Sequence, residues 1–447
     1  MASEEISPLV LPDWHERIDA TNRKWVRLND VCSDIVDCPH STPTYTQSGE
    51  FYIVRTQDFR GGMLDLSNAA RVSPATFSER TKRVTPRHGD VIYSREGAYH
   101  GIAAEVPRNS KVCLGQRTVL IRPDASKVNS RFLRYWLNSD RVRGYIAGHR
   151  AGSAAPRINL PSIRGVPVAV PPLAEQDLIA RILGSLDDKI ELNRRMNATL
   201  EAMARALFRS WFVDFDPIRA KLDGRKPTGL EEAVSALFPA KFEESVRGSI
   251  PRGWTIEPIG EVVSCVGGGT PSTTEPAFWD GGSHHWTTPK DFSALEAPVL
   301  TDTERKITDA GVASISSGLL PAGTVLMSSR APVGYLAISA IPVAINQGFI
   351  AMKPNDRASN YFLLNWCHEN MPQIEARATG TTFAEISKQN FRPIPVVLPP
   401  RELMAAFTRT VAPFYEQITA NVRQSRTLAL IRDTLLPKLL SGELRIA

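Results

Sequence analysis

The chain has 447 residues, too many for a single hydrophobic core, so two or more domains are expected. Hydrophobic residues make up 42% and charged residues 22%, as in soluble globular proteins, and no apolar run reaches the roughly 18 residues that a membrane span requires. The net charge of +6 is uneven, because residues 23–164 carry 23 Lys and Arg against 12 Asp and Glu, whereas residues 251–400 carry 10 against 13. The first part therefore favours a polyanionic partner, and the second cannot bind nucleic acid by charge alone.

The same series of segments occurs twice along the chain, about 228 residues apart. It opens at Trp25 in the first copy and at Trp254 in the second. The further matches are Thr42-Pro43 with Thr270-Pro271, the strand-like residues 89–94 with 323–328, Gly115-Gln116 with Asn346-Gln347-Gly348, residues 152–158 with 380–386, and residues 167–172 with 395–400. The offset drifts to 234 inside the copies and returns to 228 at their ends, which indicates loop insertions on a shared framework.

Each copy ends in a Pro-Pro pair followed by a stretch with the heptad spacing of a coiled-coil helix. The positions seven apart are Ile179, Leu186, Asn193, Leu200 and Leu207 in the first stretch, and Phe407, Phe414, Asn421, Leu428 and Leu435 in the second. Both central members are asparagine. If the helices pair antiparallel, the two asparagines lie close together at mid-length, where a buried amide could fix the alignment. Alternatively, each lies at the margin of its stripe and is solvated.

A polar segment rich in Lys, Gly and Glu separates the copies and is typical of a connector, with a short helix around residues 230–237. The predicted organisation is a first α/β domain at 1–172, a central helix at 173–212, the connector at 213–253, a second α/β domain at 254–400 and a C-terminal helix at 401–447. The predicted fold is thus two mixed α/β domains joined by two long antiparallel coiled-coil helices, with an internal pseudo-twofold repeat.

Motifs of common active sites are missing from the sequence. There is no Gly-Lys dipeptide for a phosphate-binding P-loop, no His-Glu-x-x-His, and no histidine spacing suited to a metal. The Asn/Asp-Pro-Pro-aromatic motif of amino-methyltransferases is also missing, because the two Pro-Pro pairs lie in Val-Pro-Pro-Leu and Leu-Pro-Pro-Arg. The five cysteines are scattered and the N-terminal residues lack an export signal, which favours a cytoplasmic protein with reduced thiols. A binding protein is expected, with no catalytic or metal site.

Polar side chains suited to DNA recur in the predicted loops of both copies. In the first copy they are Arg55, Gln57, Arg60, Arg95, Tyr99, His100, Gln116, Arg117, Ser153 and Arg157. In the second copy they are Thr288, Lys290, Ser329, Arg330, Gln347, Thr381, Thr382 and Lys388. Arg and Lys can bind guanine O6 and N7, Gln can bind adenine N6 and N7, and the Gly-hydroxyl loops that open at Gly152 and Gly380 can bind phosphates. Any one of these can instead be a solvated loop side chain, and the paired Gln116 and Gln347 could cap buried backbone.

Six motifs are distinctive in combination. They are Pro171-Pro-Leu-Ala-Glu-Gln176, Leu207-Phe-Arg-Ser-Trp-Phe-Val-Asp-Phe-Asp-Pro217, Ile250-Pro-Arg-Gly-Trp254, Asn346-Gln-Gly-Phe349, Gly380-Thr-Thr-Phe383 and Leu435-Leu-Pro-Lys-Leu-Leu-Ser-Gly-Glu-Leu444. Together they resemble the DNA-specificity subunit of type I restriction–modification systems over nearly the whole chain. Two segments depart from the family pattern. They are Pro399-Pro-Arg-Glu-Leu-Met404 in the second copy and Gly152-Ser-Ala-Ala155 in the first.

The resemblance implies that the two α/β domains are target-recognition domains, each reading one half of a split, asymmetric site in double-stranded DNA. It also implies that the long helices separate these domains and dock two methyltransferase (M) subunits, with restriction (R) subunits joining the larger complex. This chain would bind no cofactor itself. S-adenosylmethionine for adenine methylation, and ATP with Mg for translocation and cleavage, would belong to the partner subunits.

Helix length gives a prediction that does not depend on the resemblance. From Ile179 to Leu207 a helix spans roughly 42 Å at about 1.5 Å per residue, close to one turn of DNA at about 34–36 Å. Shortening both helices by one heptad should therefore change the spacer between the half-sites and leave the half-sites unchanged. Two alternatives are a stand-alone nuclease or methyltransferase with duplicated recognition domains, and a coiled-coil scaffold that never touches DNA.

Overall fold

The structure is a computed structural model that describes residues 23–97, 100–149, 157–245, 248–380 and 384–445. It divides into two units, the first formed by Met1–Asp188 with Leu428–Ala447 and the second by Lys189–Thr427. Each unit contains one α/β domain together with a segment of each long helix. The repeat predicted from the sequence is confirmed as two mixed α/β domains.

The first domain is built from twelve strands and four short helices among its described residues. The strands are β1 (Lys24–Arg27), β2 (Cys32–Asp37), β3 (Tyr45–Thr46), β4 (Phe51–Val54), β5 (Phe59–Arg60), β6 (Met63–Leu64), β7 (Arg71–Val72), β8 (Val91–Ser94), β9 (Ala103–Glu105), β10 (Lys111–Leu114), β11 (Thr118–Pro123) and β12 (Pro167–Val170). The helices are α1 (Pro74–Arg80), α2 (Ser130–Leu137), α3 (Asp140–Gly148) and α4 (Leu160–Arg164), and the long helix α5 (Leu173–Phe212) follows them.

The centre of the first domain is β8, whose four residues are all buried, as the continuous apolar run predicts. It belongs to a six-stranded sheet of order β2-β11-β8-β9-β6-β5. On one face, Ile92 of β8 shares a hydrophobic core with Val54 of a second sheet, whose order is β10-β4-β7-β3. On the other face, Tyr93 packs in a core with Phe132 and Trp136 of α2.

The connector and the second domain contain the remaining elements. The helices are α6 (Asp216–Leu222), α7 (Glu232–Ala236), α8 (Ile259–Val262), α9 (Pro289–Ser293), α10 (Asp309–Ala313), α11 (Asn360–Glu369), α12 (Met371–Glu375), α13 (Lys388–Phe391) and the long helix α14 (Arg401–Ser441). The strands are β13 (Phe242–Ser245), β14 (Gly248–Pro251), β15 (Thr255–Pro258), β16 (Ser264–Gly267), β17 (His284–Thr287), β18 (Val299–Leu300), β19 (Arg305–Ile307), β20 (Val325–Ser329), β21 (Val333–Ser339), β22 (Val343–Ile345), β23 (Phe349–Lys353) and β24 (Pro395–Leu398).

The second domain repeats the strand order of the first. Its main sheet has the order β16-β23-β20-β21-β18, in which the first four strands match β2-β11-β8-β9 of the first domain. The fully buried β20 takes the place of β8. The parallel pair of β17 and β22 likewise matches the parallel pair of β4 and β10. The matched segments of the sequence therefore occupy matched positions in the two folds.

A two-stranded antiparallel sheet closes each domain. It pairs β1 with β12 in the first domain and β15 with β24 in the second, so that the tryptophan segment that opens each copy lies beside the proline-bounded strand that ends it. Each long helix begins just after this strand, at Leu173 and at Arg401. The predicted domain ends at 172 and 400 fall in these short connections.

The connector belongs to the second unit. Ile218 of α6 and Phe238, which follows α7, are buried in the same hydrophobic core as Trp254 and Phe407. The short helix predicted around residues 230–237 is present as α7. Its apolar side chains therefore complete the core of the second unit.

The long helices run antiparallel to each other within each unit. In the first unit, Leu439 and Leu440 of α14 share a core with Ile179 and Leu183 of α5. In the second unit, the rings of Phe212 and Phe407 are 4.9 Å apart between centroids. Residues early in α5 therefore contact residues late in α14, and residues late in α5 contact residues early in α14. This is the predicted antiparallel arrangement.

The predicted heptad seam requires a correction. Ile179, Asn193, Phe407 and Asn421 are buried as expected. The other predicted seam positions are only half-buried, namely Leu186, Leu200, Leu207, Phe414, Leu428 and Leu435. Outside the predicted series, the buried positions on α5 include Gln176, Ala180, Leu183, Asp187, Asn197, Ala204, Phe208 and Trp211. They fall into two series whose separations are multiples of seven, namely Gln176, Leu183, Asn197, Ala204 and Trp211, and Ala180, Asp187 and Phe208. The heptad spacing is therefore present, but the buried series are offset from the predicted one.

The two central asparagines are buried and bind the opposite helix. Asn193 Nδ2 donates to Gln424 Oε1 at 2.9 Å and to Ser425 Oγ at 3.1 Å. Asn421 Nδ2 donates to Asn197 Oδ1 at 2.8 Å. The buried-amide interpretation is therefore confirmed, but the two amide groups do not pair with each other. The sequence prediction missed Asn197, which lies outside the heptad series.

Asn421→Ala is expected to lower the free energy of unfolding by about 1–3 kcal/mol, because it leaves the buried Asn197 Oδ1 without its donor. Urea unfolding of the full chain measures this difference. The matched control is Arg409→Ala at an exposed position of the same helix, where the change should stay within about 0.5 kcal/mol. Equal effects of the two substitutions would contradict the role assigned to the buried amides.

Candidate nucleic-acid interface

Three loops of the first domain meet at one edge of its main sheet. They are the segment after β2, the segment after β8 and the turn between β10 and β11. Together they surround a cavity of about 210 Å³ that is lined by Cys38, His40, Arg95, Glu96, Gln116 and Arg117. Three residues predicted to bind DNA, Arg95, Gln116 and Arg117, are thus brought together from separate parts of the sequence.

The cationic side chains of this cavity are held by neighbouring carboxylates. Arg95 forms an ion pair with Asp37 and is mostly buried. Arg117 Nε lies 3.6 Å from Glu96 Oε1, and 54% of the Arg117 side chain is exposed. Its guanidinium is therefore oriented by one carboxylate and open to solvent, an arrangement that can bind a phosphate or a base edge.

The two paired glutamines occupy equivalent turns. Gln116 lies between β10 and β11, where its Nε2 donates to Thr42 Oγ1 at 3.1 Å. Gln347 lies between β22 and β23, where its Oε1 accepts from Thr270 Oγ1 at 2.5 Å. Both glutamines are exposed, and their partners are side chains. The alternative in which they cap buried backbone is therefore wrong.

Two further predicted residues of the second domain adjoin the Gln347 turn. A methyl group built on Gly348 would lie 3.6 Å from Arg330 Nε. Lys388, the first residue of α13, lies beside the segment that leads to Thr270, because a methyl group on Gly267 would be 3.2 Å from its Nζ. The second domain thus places one cationic side chain beside its glutamine turn and another beside the segment that leads to Thr270.

An isolated antiparallel bridge next to each glutamine turn carries opposite charges in reversed order. In the first domain Glu96 pairs with Arg157, and in the second Arg330 pairs with Glu385. The offsets between the matched positions are those of the internal repeat. In the second domain Arg330 Nη1 is also 3.7 Å from Glu385 Oε2. The two sites therefore share a backbone and differ in where their charges lie.

The remaining predicted residues of the first domain lie on other loops or at the border of the site. A methyl group on Gly115 would lie 3.3 Å from Arg55 Cγ, which places Arg55 beside the Gln116 turn. Gln57 is exposed in the short 3-10 helix Thr56–Asp58. Arg60 Nη1 lies 3.5 Å from Asp65 Oδ2, and His100 Nδ1 contacts the carbonyl of Gly97 at 2.8 Å.

One prediction for the second domain is wrong, and four predicted residues, two in each domain, lie outside the described residues. Ser329 is only 3% exposed at the end of the central β20, so its hydroxyl cannot reach DNA. The hydroxyl of Thr288 donates to Asp291 Oδ2 at 3.0 Å and belongs to the cap of α9. Lys290 is exposed and pairs with Glu304. Tyr99, Ser153, Thr381 and Thr382 are the predicted residues outside the described part.

One residue that shapes this site was not predicted from the sequence. The buried guanidinium of Arg80, in α1, donates to the carbonyls of Leu114 at 2.9 Å, Ser41 at 3.1 Å and Pro39 at 3.2 Å. It thereby joins the loop that carries Thr42 to the strand that leads to Gln116. An arginine at the end of a short helix looks like a solvated residue when its distant partners are unknown.

The described cysteines and histidines are also candidates for groups that could hold a metal ion. In the described part of the chain no three His, Cys, Asp or Glu side chains form a group able to hold a metal ion. Burial raises the pKa of the Cys113 and Cys265 thiols to about 11, so both are protonated at neutral pH. None of the described helices is long and apolar enough to cross a membrane.

Comparison with known proteins identifies a family. The family model described as the type I restriction modification DNA specificity domain matches residues 22–202 and again residues 251–421. The specificity subunit of the type I restriction enzyme HindI from Haemophilus influenzae is 28% identical over 80% of this chain and 87% of its own. The MjaIX specificity subunit from Methanocaldococcus jannaschii is 32% identical over 44% of this chain and 46% of its own.

One solved structure shares the fold over nearly the full length. It is the S subunit of a type I restriction–modification system from M. genitalium, which is 16% identical with a TM-score of 0.55. The match covers 95% of this chain and 97% of that one. At this identity the likeness concerns the fold alone.

Proposed function

This chain belongs to the DNA-specificity subunits of type I restriction–modification systems, and we propose that each of its α/β domains reads one half of a bipartite DNA site. The observation that carries the proposal is the recurrence of one loop arrangement in both domains. In each, an exposed glutamine between two strands contacts a threonine and adjoins cationic side chains. Glutamine and arginine are the side chains that read adenine and guanine in the major groove.

The two halves of the site should differ in sequence. The bridged residues next to the glutamines carry opposite charges in reversed order, and the first domain carries far more positive charge than the second. Different side chains on equivalent loops present different donors and acceptors to the base edges. An asymmetric site in double-stranded DNA is the expected target.

Partner subunits should dock on the long helices. Leu192 and Met203 of α5 and Leu430 and Ile431 of α14 are exposed apolar side chains. Exposed apolar residues of this size on helices fit protein interfaces. We assign these faces to two methyltransferase subunits, with restriction subunits joining the full complex. S-adenosylmethionine, ATP and Mg would be held by those partners, and this chain would act as the non-catalytic reader.

Methyl transfer by reconstituted proteins tests this division of roles. The purified chain with S-adenosylmethionine should transfer no methyl groups to DNA, and addition of the methyltransferase subunit encoded in the same genome should produce sequence-specific adenine methylation. Incorporation of a labelled methyl group measures the reaction. Transfer by the single chain, or identical sites when a different specificity subunit is substituted, would contradict the proposal.

A further inference from the structure

In each domain one exposed threonine contacts one exposed glutamine. The two residues come from matched positions of the internal repeat. Thr42 and Thr270 are 228 residues apart, and Gln116 and Gln347 are 231 apart. The threonine follows the first strand of the main sheet, and the glutamine occupies the turn that precedes its neighbouring strand. The two domains thus provide two independent instances of one residue pairing, in which Gln116 donates to its threonine and Gln347 accepts from its threonine.

In the first domain a buried arginine holds the backbone on both sides of the pair. Arg80 binds the carbonyl of Ser41, next to Thr42, and the carbonyl of Leu114, two residues before Gln116. Gly115 lies so close to the adjacent strand that a methyl group there would be 2.2 Å from the carbonyl oxygen of Val54. Little freedom remains for the loop that presents the amide.

In the second domain, different contacts restrain the loop that carries the threonine. The Gly269 amide donates to the carbonyl of Ile345 at 2.9 Å, and the Trp286 indole donates to the carbonyl of Gly269 at 3.1 Å. A methyl group on Gly268 would lie 1.9 Å from the carbonyl oxygen of Ile345. The threonine loop is therefore fastened to the strand that ends just before Gln347, without any arginine.

Hydrogen bonds between exposed side chains add little to stability, so stability alone does not explain why two differently built scaffolds support the same pair. A need to position the glutamine amide does explain why both scaffolds support this pair. A glutamine amide has two donor hydrogens and an oxygen with two lone pairs, so one contact with threonine leaves at least one donor and one acceptor free. A free donor and acceptor on one planar group match adenine N7 and N6, and holding the side chain in advance reduces the entropy lost on binding.

We propose that Gln116 and Gln347 each read one adenine, one in each half of the target, and that Thr42 and Thr270 are positioning residues for these amides. The proposal rests on the function proposed above and names the residues that decide one base in each half-site. The neighbouring Arg117 and Arg330 lie where they can bind the DNA backbone or a flanking base. The two glutamines act in separate domains, so each is the control for the other.

The test is methylation mapping of the reconstituted complex of this chain with its methyltransferase subunit, on a DNA library that varies both half-sites. With Gln347→Ala, one adenine position in one half-site should become degenerate, and the preference for adenine there should fall about 5- to 150-fold. Gln116→Ala should do the same in the other half-site only. Exposed Gln389 of α13 provides the matched control, and Gln389→Ala should leave the motif unchanged.

Threonine variants separate positioning from direct reading. Thr270→Val, which removes the hydroxyl but keeps the shape, should weaken discrimination at the same base as Gln347→Ala, by a smaller factor. Thr270→Ser, which keeps the hydroxyl, should retain the native preference. If Thr270→Val instead lowers thermal stability and leaves the motif intact, the contact between threonine and glutamine only stabilises the fold, and the proposal is overturned.

The design distinguishes failure of this inference from failure of the proposed function. Absence of a bipartite motif with the unaltered complex would overturn the proposed function, and the inference with it. A bipartite motif that Gln116→Ala and Gln347→Ala both leave unchanged would overturn the inference alone. Loss of specificity in both half-sites from one substitution would also overturn it, because each amide is assigned to a single domain.

Discussion

Asp187→Ala is expected to lower the free energy of unfolding of the first unit by about 3–5 kcal/mol, the largest effect of any single substitution considered for this chain. The carboxylate is 8% exposed and binds three partners within that unit. Its Oδ2 accepts from Arg134 Nη2 at 2.8 Å and from the Tyr135 hydroxyl at 2.5 Å, and its Oδ1 accepts from Arg432 Nη1 at 2.8 Å. Removing it leaves a buried guanidinium without a counter-charge.

The position of these partners gives Asp187 its structural role. Arg134 and Tyr135 belong to α2 of the first domain, and Arg432 belongs to the last part of α14. One carboxylate on α5 therefore ties both the domain and the end of the chain to the same helix. The fixed geometry of this unit depends on a charge cluster in addition to its hydrophobic core.

Urea unfolding of the full chain, with hydrogen–deuterium exchange to assign the loss to the first unit, measures the effect. The neighbouring Asp188 is the matched control, because it pairs with Arg131 at 2.9 Å but is exposed. Asp188→Ala should cost no more than about 1 kcal/mol. A similar small loss for Asp187→Ala would contradict the role assigned to the cluster.

The same cluster gives a stability that depends on pH. Burial opposes the charge of Asp187, but Arg134, Tyr135 and Arg432 outweigh it and lower its pKa from the ordinary value of 3.8. A carboxyl group whose folded-state pKa is lowered contributes stability above its unfolded pKa and loses it as the pH falls through the folded value. The stability difference between the native chain and Asp187→Asn should therefore shrink below about pH 4.

Lengthening both long helices by seven residues is expected to lengthen the spacer of the DNA site by about three base pairs, with both half-sites unchanged. Seven helical residues add about 10.5 Å, and base pairs are about 3.4 Å apart along DNA. Each long helix begins in one unit and ends in the other. The experiment therefore adds helical residues at the two boundaries where the chain passes from one unit to the other.

The insertion sites follow from the limits of the two units. One heptad is placed between Asp188 and Lys189, and the other between Thr427 and Leu428, which leaves the contacts of Asp187 and of Asn193 within their own units. Seven residues are almost two turns, so the helical faces return to within about 20° of their original direction. The control is an insertion of seven residues in one helix only, which should abolish methylation at every spacing. An unchanged spacer with both insertions would contradict the prediction that helix length determines the spacer.

Much of the fold could be predicted from the sequence because its signals are local or repeated. The buried strands β8 and β20 are continuous apolar runs after a glycine, and β12 and β24 are runs bounded by prolines. The heptad seam was predicted less well. The spacing of seven was right, but the main buried series of α5, which includes Leu183, Asn197 and Trp211, is offset from the predicted one, in which Leu186, Leu200 and Leu207 are half-buried.

The candidate site was only partly predictable for a different reason. Gln116 and Gln347 could be selected because the repeat aligns them, and their loops do meet the matched threonines. Arg80 and Asp187 had no such signal. Their partners lie 34 or more residues away in the sequence, so their roles exist only after the chain has folded. Ser329 was selected wrongly because its place at the end of a buried strand cannot be read from its neighbours.

Mapping of methylated adenines in the host genome, with and without this chain, tests whether the chain selects the methylated site. We expect one bipartite motif with two unlike halves and a fixed spacer, which disappears when the chain is deleted and returns when it is restored. Persistence of the motif without the chain, or a restored motif that is continuous or palindromic, would contradict its role as the DNA reader.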